Sequence, residues 1–203
     1  MNNVKNRALV IAFGILLAAP AFAKLNVVTT TQDLGAITKA IGRDHIEVAS
    51  LCKGYQDPHF IDAKPSYMLA INKADLVEAI GLDLEIGWLP PLLTGARNPR
   101  VLPGNPGFLD ASTLIQPLDV VANADRSAGD VHPRGNPHYW LDPENGRAIA
   151  RGIAQRLAEL DPGGAATYAA NLKTFESILD AREIEWATAM APLAGKPIVA
   201  FHK

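Results

Sequence analysis

Short runs of β-branched and aliphatic residues alternate with segments of helical periodicity, and that alternation most limits what this chain can fold into. Leu25 to Thr30 is the first β-rich run, Ile46 to Cys52 the second, and Asp75 to Ile80 the third, ended by Gly81. Between the first two, Thr30 or Thr31 can cap a helix carrying Leu34, Ile37, Ala40 and Ile41 on one face. Between the second and third, Lys64-Pro65 marks a helix start, followed by Tyr67, Met68, Ala70 and Ile71. Glu85 to Ala96 reads as a helix interrupted by Pro90-Pro91, and Val101-Leu102 and Leu118 to Ala122 read as short strands. This rhythm predicts an α/β fold built of βαβ units, with a mostly parallel sheet flanked by helices.

The pattern changes at residues 123–137, which are polar and rich in glycine, proline and asparagine, as in a surface loop. That stretch leads into Asp142-Pro143, an N-cap followed by proline at the first helical position. After Asp161-Pro162-Gly163-Gly164, a long helical pattern runs from Ala165 to about Ala191, roughly 40 Å at ~1.5 Å per residue. Tyr168, Leu172, Phe175, Ile178 and Leu179 keep one face of it apolar. Lys196-Pro197 then opens a last strand, Ile198 to Phe201.

The first 23 residues read as an export signal. Lys5 and Arg7 precede an uncharged apolar run, Ala8 to Ala19, and Ala21-Phe22-Ala23 is a small-x-small cleavage site. The run is shorter than the ~20 residues that a membrane span needs. Removing the segment leaves 17 basic against 21 acidic side chains, a net charge of −4. That balance gives no basic footprint for nucleic acid. Cys52, the one cysteine, cannot pair within the chain and lies in an apolar run where a buried, inert thiol is expected. Together these features point to a soluble chain exported to a space such as a bacterial periplasm.

Three histidines sit in rigid or strand-end settings: Asp57-Pro58-His59, Asn136-Pro137-His138-Tyr139-Trp140 and Ala200-Phe201-His202. In doubly wound folds ligands bind at the carboxyl ends of strands, where His59 and His202 fall. Three neutral imidazoles suit zinc. Each histidine alone reads more simply as a solvated or packing residue, and the spacings are too long to be diagnostic. His132, in Val131-His132-Pro133, is at most an auxiliary ligand, and His45 reads as a surface turn. The chain contains no His-Glu-x-x-His, paired Cys-x-x-Cys, phosphate loop or nucleophile elbow.

These stretches, with Val28-Thr29-Thr30-Thr31-Gln32-Asp33-Leu34, resemble the periplasmic metal-binding proteins of zinc and manganese ABC transporters, the ZnuA/TroA type. The resemblance implies two α/β lobes joined by a long helix, with metal held between them by His59, His138 and His202. It divides this chain into a signal (1–23), an N-terminal lobe (24–164), a connecting helix (165–191) and a stub of the second lobe (192–203). With that stub the expectation is a complementing C-terminal polypeptide, self-association or a partly disordered tail. The implied function is capture of Zn2+, or alternatively Mn2+, for an ABC permease in the inner membrane, with no catalysis. Two other readings stay open. One is a remnant, or half of a two-piece protein, without a working site. The other is a zinc hydrolase using an open coordination position.

Overall fold

The computed structural model describes residues 24–120 and 132–197. Four strands form one parallel sheet in the order β2-β1-β3-β4: β1 (Leu25–Thr29), β2 (Ile46–Ser50), β3 (Leu76–Ala79) and β4 (Phe108–Asp110). Val27 is in register with Val48 on one side and Leu76 on the other. Both faces are covered at the centre of the sheet, where β3 is buried at every position, whereas the edge strand β2 alternates in exposure. Val27, Leu76 and Leu109 enter one core with Leu34, Ile41, Ile149, Ile153 and Tyr168. Val28, Val77 and Ala79 enter the other with Ile71, Trp88 and Leu92.

Helix α1 (Gln32–Gly42) begins at Thr31, whose side chain accepts the Leu34 N–H. It lies close on the sheet because residue 35 is glycine: a Cβ there would run into Ser50 Oγ. The core of α2 (Pro65–Lys73) and α3 (Leu89–Ala96) lies on the opposite face. Helix α4 (Pro143–Leu160) is capped by Asp142, which accepts the Glu144 N–H at 3.0 Å, with Pro143 in its first turn. Helix α5 (Ala165–Met190) packs on α1 and α4. Its fixed points are buried Tyr168 and Asn171, whose Nδ2 donates to Ile41 O at 2.7 Å. Arg147 of α4 reaches Asp180 and Glu183 of α5.

The α/β architecture with its long helix is the one expected from the strand–helix rhythm, with local corrections. Pro90 and Pro91 do not interrupt a helix; they occupy the first turn of α3, where a missing N–H costs nothing. Pro99–Val101 is a 3-10 turn, and the fourth strand comes later, at Phe108–Asp110. Leu118 to Val120 is not strand, and Val121 and Ala122 lie outside the described residues. His45 ends a 3-10 turn and is packed: its ring meets Tyr168 edge-on and Nδ1 lies 3.5 Å from Asp161 Oδ2. The export signal, the last strand Ile198 to Phe201 and His202 fall outside the described residues. No described helix is long and apolar enough to cross a membrane.

Candidate metal centre

In the order β2-β1-β3-β4 the chain leaves β1 in one direction and later crosses to its other side, so loops diverge at the carboxyl ends of β1 and β3. The loop after β2 carries His59, and the turn after β3 lies beside His132.

His59 and His138 are set by the same local device. In each, an Asx side chain accepts the backbone N–H of the histidine two residues on: Asp57 Oδ1 from His59 and Asn136 Oδ1 from His138, both at 2.9 Å. The intervening prolines fix φ, so each Asx-Pro-His tripeptide is a closed turn that aims its imidazole. Trp88 Nε1 donates to Pro58 O at 2.8 Å and holds the first turn against α3. The second runs into a 3-10 turn whose Tyr139 hydroxyl donates to Ile80 O, at the end of β3. Burial of that phenol pushes its pKa up.

The rings of His59 and His138 lie 5.5 Å apart, and the Trp140 ring closes on His138 at 5.1 Å. His132 approaches closer still, with its Nε2 at 3.1 Å from His59 Nε2. His59 Nδ1 lies 2.7 Å from Asp57 Oδ1. Burial pushes the Asp57 carboxyl up. The hydrogen bonds from His59 and the charges of His59 and His138 outweigh it and hold the group below its usual range.

A second support forms around Glu85, which is 3% exposed. Its carboxylate accepts from Thr30 Oγ1 at 2.6 Å, Ile80 N at 2.8 Å and Gly81 N at 3.0 Å. Burial pushes its pKa up, against the pull of those donors. They brace a turn in which Gly81, Leu82 and Asp83 all have positive φ (80°, 51° and 67°). Leu82 O faces His132 Nδ1 at 3.1 Å, and Asp83 pairs with Arg134 at 2.8 Å.

Of the four histidines singled out from sequence, three are therefore brought together: His59, His138 and the auxiliary candidate His132. The fourth, His202, lies outside the described residues. Among the described residues, no group of three or more His, Cys, Asp or Glu side chains is placed so that it could hold a metal ion. Cys52 is buried and its thiol is pushed up by burial, so it stays protonated and apart from this chemistry. Sequence reasoning missed Asp57 and Asn136 as orienting groups, though Asx-Pro-His was legible as a motif. It also missed Glu85 and Leu82, whose roles are tertiary.

The chain is 34% identical over 165 residues to a manganese ABC transporter substrate-binding lipoprotein of Streptococcus gordonii, an alignment covering 80% of this chain and 50% of the relative. It is 30% identical to an iron ABC transporter substrate-binding lipoprotein of Streptococcus pyogenes serotype M1, covering 77% and 48%. The chain thus spans about half the length of these curated relatives. Among solved structures, a zinc-bound deletion mutant of ZnuA superposes with a TM-score of 0.75 at 28% identity, covering 89% of this chain and 64% of that one. The family model described as zinc-uptake complex component A, periplasmic, matches residues 27–203, and the chain belongs to that family.

Proposed function

We propose that this chain captures a divalent transition-metal ion between imidazoles and carries it to an ABC-type permease in the membrane. The observation that carries the reading is the pair of Asx-Pro-His turns, which aim His59 and His138 toward each other with the rings 5.5 Å apart. A turn that spends a proline and a side-chain acceptor on one histidine limits the entropy lost when that imidazole takes a ligand. In this reading His202 adds a third nitrogen, and residues 1–23 direct export to the periplasm. Residues 24–164 are the metal-binding lobe, 165–191 the connecting helix and 192–203 the start of a second lobe. Relatives named for manganese and iron, and a zinc-bound structural neighbour, support a transition metal as cargo. Imidazole donors favour zinc over manganese, which prefers oxygen. The relatives are named as binding components of transporters, so the event is capture and release.

Calorimetric titration of the chain from Lys24 onward, stripped with chelator, tests this. One zinc bound per chain, weaker binding of manganese, and loss of zinc binding in His59→Ala are expected. A folded chain that takes up neither metal would overturn the proposal.

A further inference from the structure

The two Asx-Pro-His turns lie in separate parts of the chain, and each is closed only within itself. Such a turn aims its own imidazole but does not fix the distance to the other. That distance needs a tertiary tie from each turn to something common. We infer that Tyr139 is a positioning residue: its hydroxyl hooks the His138 turn onto residues 80–88, the segment that also carries the His59 turn, and so sets the separation of the two imidazoles. The inference rests on the metal-binding reading above and gives that site its spacing device.

Residues 80–88 join β3 to α3. At the start of the segment Ile80 O accepts the Tyr139 hydroxyl, and at its end Trp88 Nε1 donates to Pro58 O at 2.8 Å. Pro58 and Tyr139 are the immediate neighbours of His59 and His138, so each tie falls one residue from the imidazole it places. Glu85 makes the segment one body. Its side chain accepts from Ile80 N and Gly81 N, and its carbonyl accepts from Trp88 N at 3.1 Å. Thr30 Oγ1, 2.6 Å from the same carboxylate, fastens the segment to the end of β1. Both histidine turns therefore hang on one braced frame, with Glu85 between the two points of attachment.

The frame is built to be stiff. Leu82 and Asp83 hold positive φ within it, a conformation that persists only where neighbours over-determine it. Tyr139, Glu85 and Trp88 are all buried, so water does not readily replace a bond that any of them loses. A binding constellation has to be held within about 0.5 Å of its working geometry, which makes such a frame consequential for two imidazoles. The competing view is that Tyr139 is an ordinary core tyrosine with its hydroxyl satisfied. Tyr168 supplies the comparison. It is buried in the same core, and its hydroxyl donates to Asp161 Oδ2 at 2.7 Å. It packs on His45, which immediately precedes β2, whereas Ile80 immediately follows β3. In a parallel sheet these are opposite edges.

The test compares wild type, Tyr139→Phe and Tyr168→Phe, each of which loses at most one hydroxyl. Three quantities are measured: the melting temperature of the metal-free chain, the nuclear Overhauser contacts between the His59 and His138 rings in that chain, and zinc affinity by calorimetry. Both variants should fold and melt below wild type. Only Tyr139→Phe should weaken the ring contacts and lower zinc affinity by about tenfold, the lower end of what losing a group that orients a ligand costs. Tyr139→Phe with wild-type ring contacts, or with wild-type zinc affinity, overturns the inference and leaves the metal-binding proposal standing. Equal loss of zinc affinity in the two variants also overturns it, since affinity would then follow stability rather than position. A wild-type chain that takes up no zinc removes the metal-binding proposal and this inference together.

Discussion

Glu78 shows how far a single residue departs from what its place in the sequence announces. It lies in the middle of β3, is 0% exposed, and faces α1. Thr38 Oγ1 lies 2.5 Å from Glu78 Oε2 and 2.7 Å from Leu34 O. The Thr38 hydroxyl is shared between these two acceptors. Burial nevertheless pushes the Glu78 pKa up to about 8, against the pull of that donor. Because the folded value exceeds the unfolded one, the folded state holds a proton that the unfolded state releases. This group's contribution to stability is therefore full below about pH 4.5 and is lost progressively as pH rises toward about 8. Glu78→Gln keeps an acceptor oxygen for Thr38 and removes the titration. It should raise stability by about 1–3 kcal/mol at pH 7.5 and flatten the pH dependence between those limits, read from urea midpoints in a pH series. A variant as pH-dependent as wild type would mean that Glu78 is ionised in the fold. Nothing in Leu76-Val77-Glu78-Ala79 signals this, because the raised pKa comes from burial that only the tertiary packing supplies.

At the scale of elements, the two Asx-Pro-His turns were legible because their acceptor, proline and imidazole are consecutive. The turn after β3 was not. Gly81 marked the end of a strand, but the positive φ of Leu82 and Asp83 is imposed by Glu85 and by burial rather than by any local preference. The helix at Pro90-Pro91 was misread for a related reason: a proline pair breaks a helix interior but starts one equally well, and only packing of Leu89, Leu92 and Leu93 decides which. Phe108–Asp110 was missed because three residues carry too little periodicity, and its place beside β3 is fixed by pairing of Glu78 with Leu109. Glu85→Ala tests the clamp. It strands the Ile80 and Gly81 N–H groups and the Thr30 hydroxyl, and should cost about 3 kcal/mol in denaturant unfolding. Glu85→Gln, which keeps one acceptor oxygen, should cost less. Equal losses would show that the turn is held by packing of Leu82 and Leu84 instead.

Across the whole molecule, packing is uneven along α5. Its first half is seated: Tyr168 is fully buried, and Leu172 and Phe175 pack against the α1 and α4 core. Arg151 pairs with Glu176 there, and Arg147 reaches Glu183. Past Glu183 the helix continues to Met190 with every side chain exposed, including Ile184 at 71%, Trp186 at 46% and Met190 at 58%. A helix end with no buried apolar face draws little support from tertiary packing. Ile184→Ser and Trp186→Ser should therefore change unfolding free energy by no more than ~0.5 kcal/mol, as at ordinary surface sites. Ile153→Ala, in the packed half of the same helical layer, should cost about 2–5 kcal/mol. Amide exchange should divide at the same point, with residues 168–176 protected close to the global level and residues 184–190 opening far more readily. Protection that stays uniform to Met190, together with a concentration-dependent sedimentation coefficient, would instead mean that this face is covered by a second chain in solution.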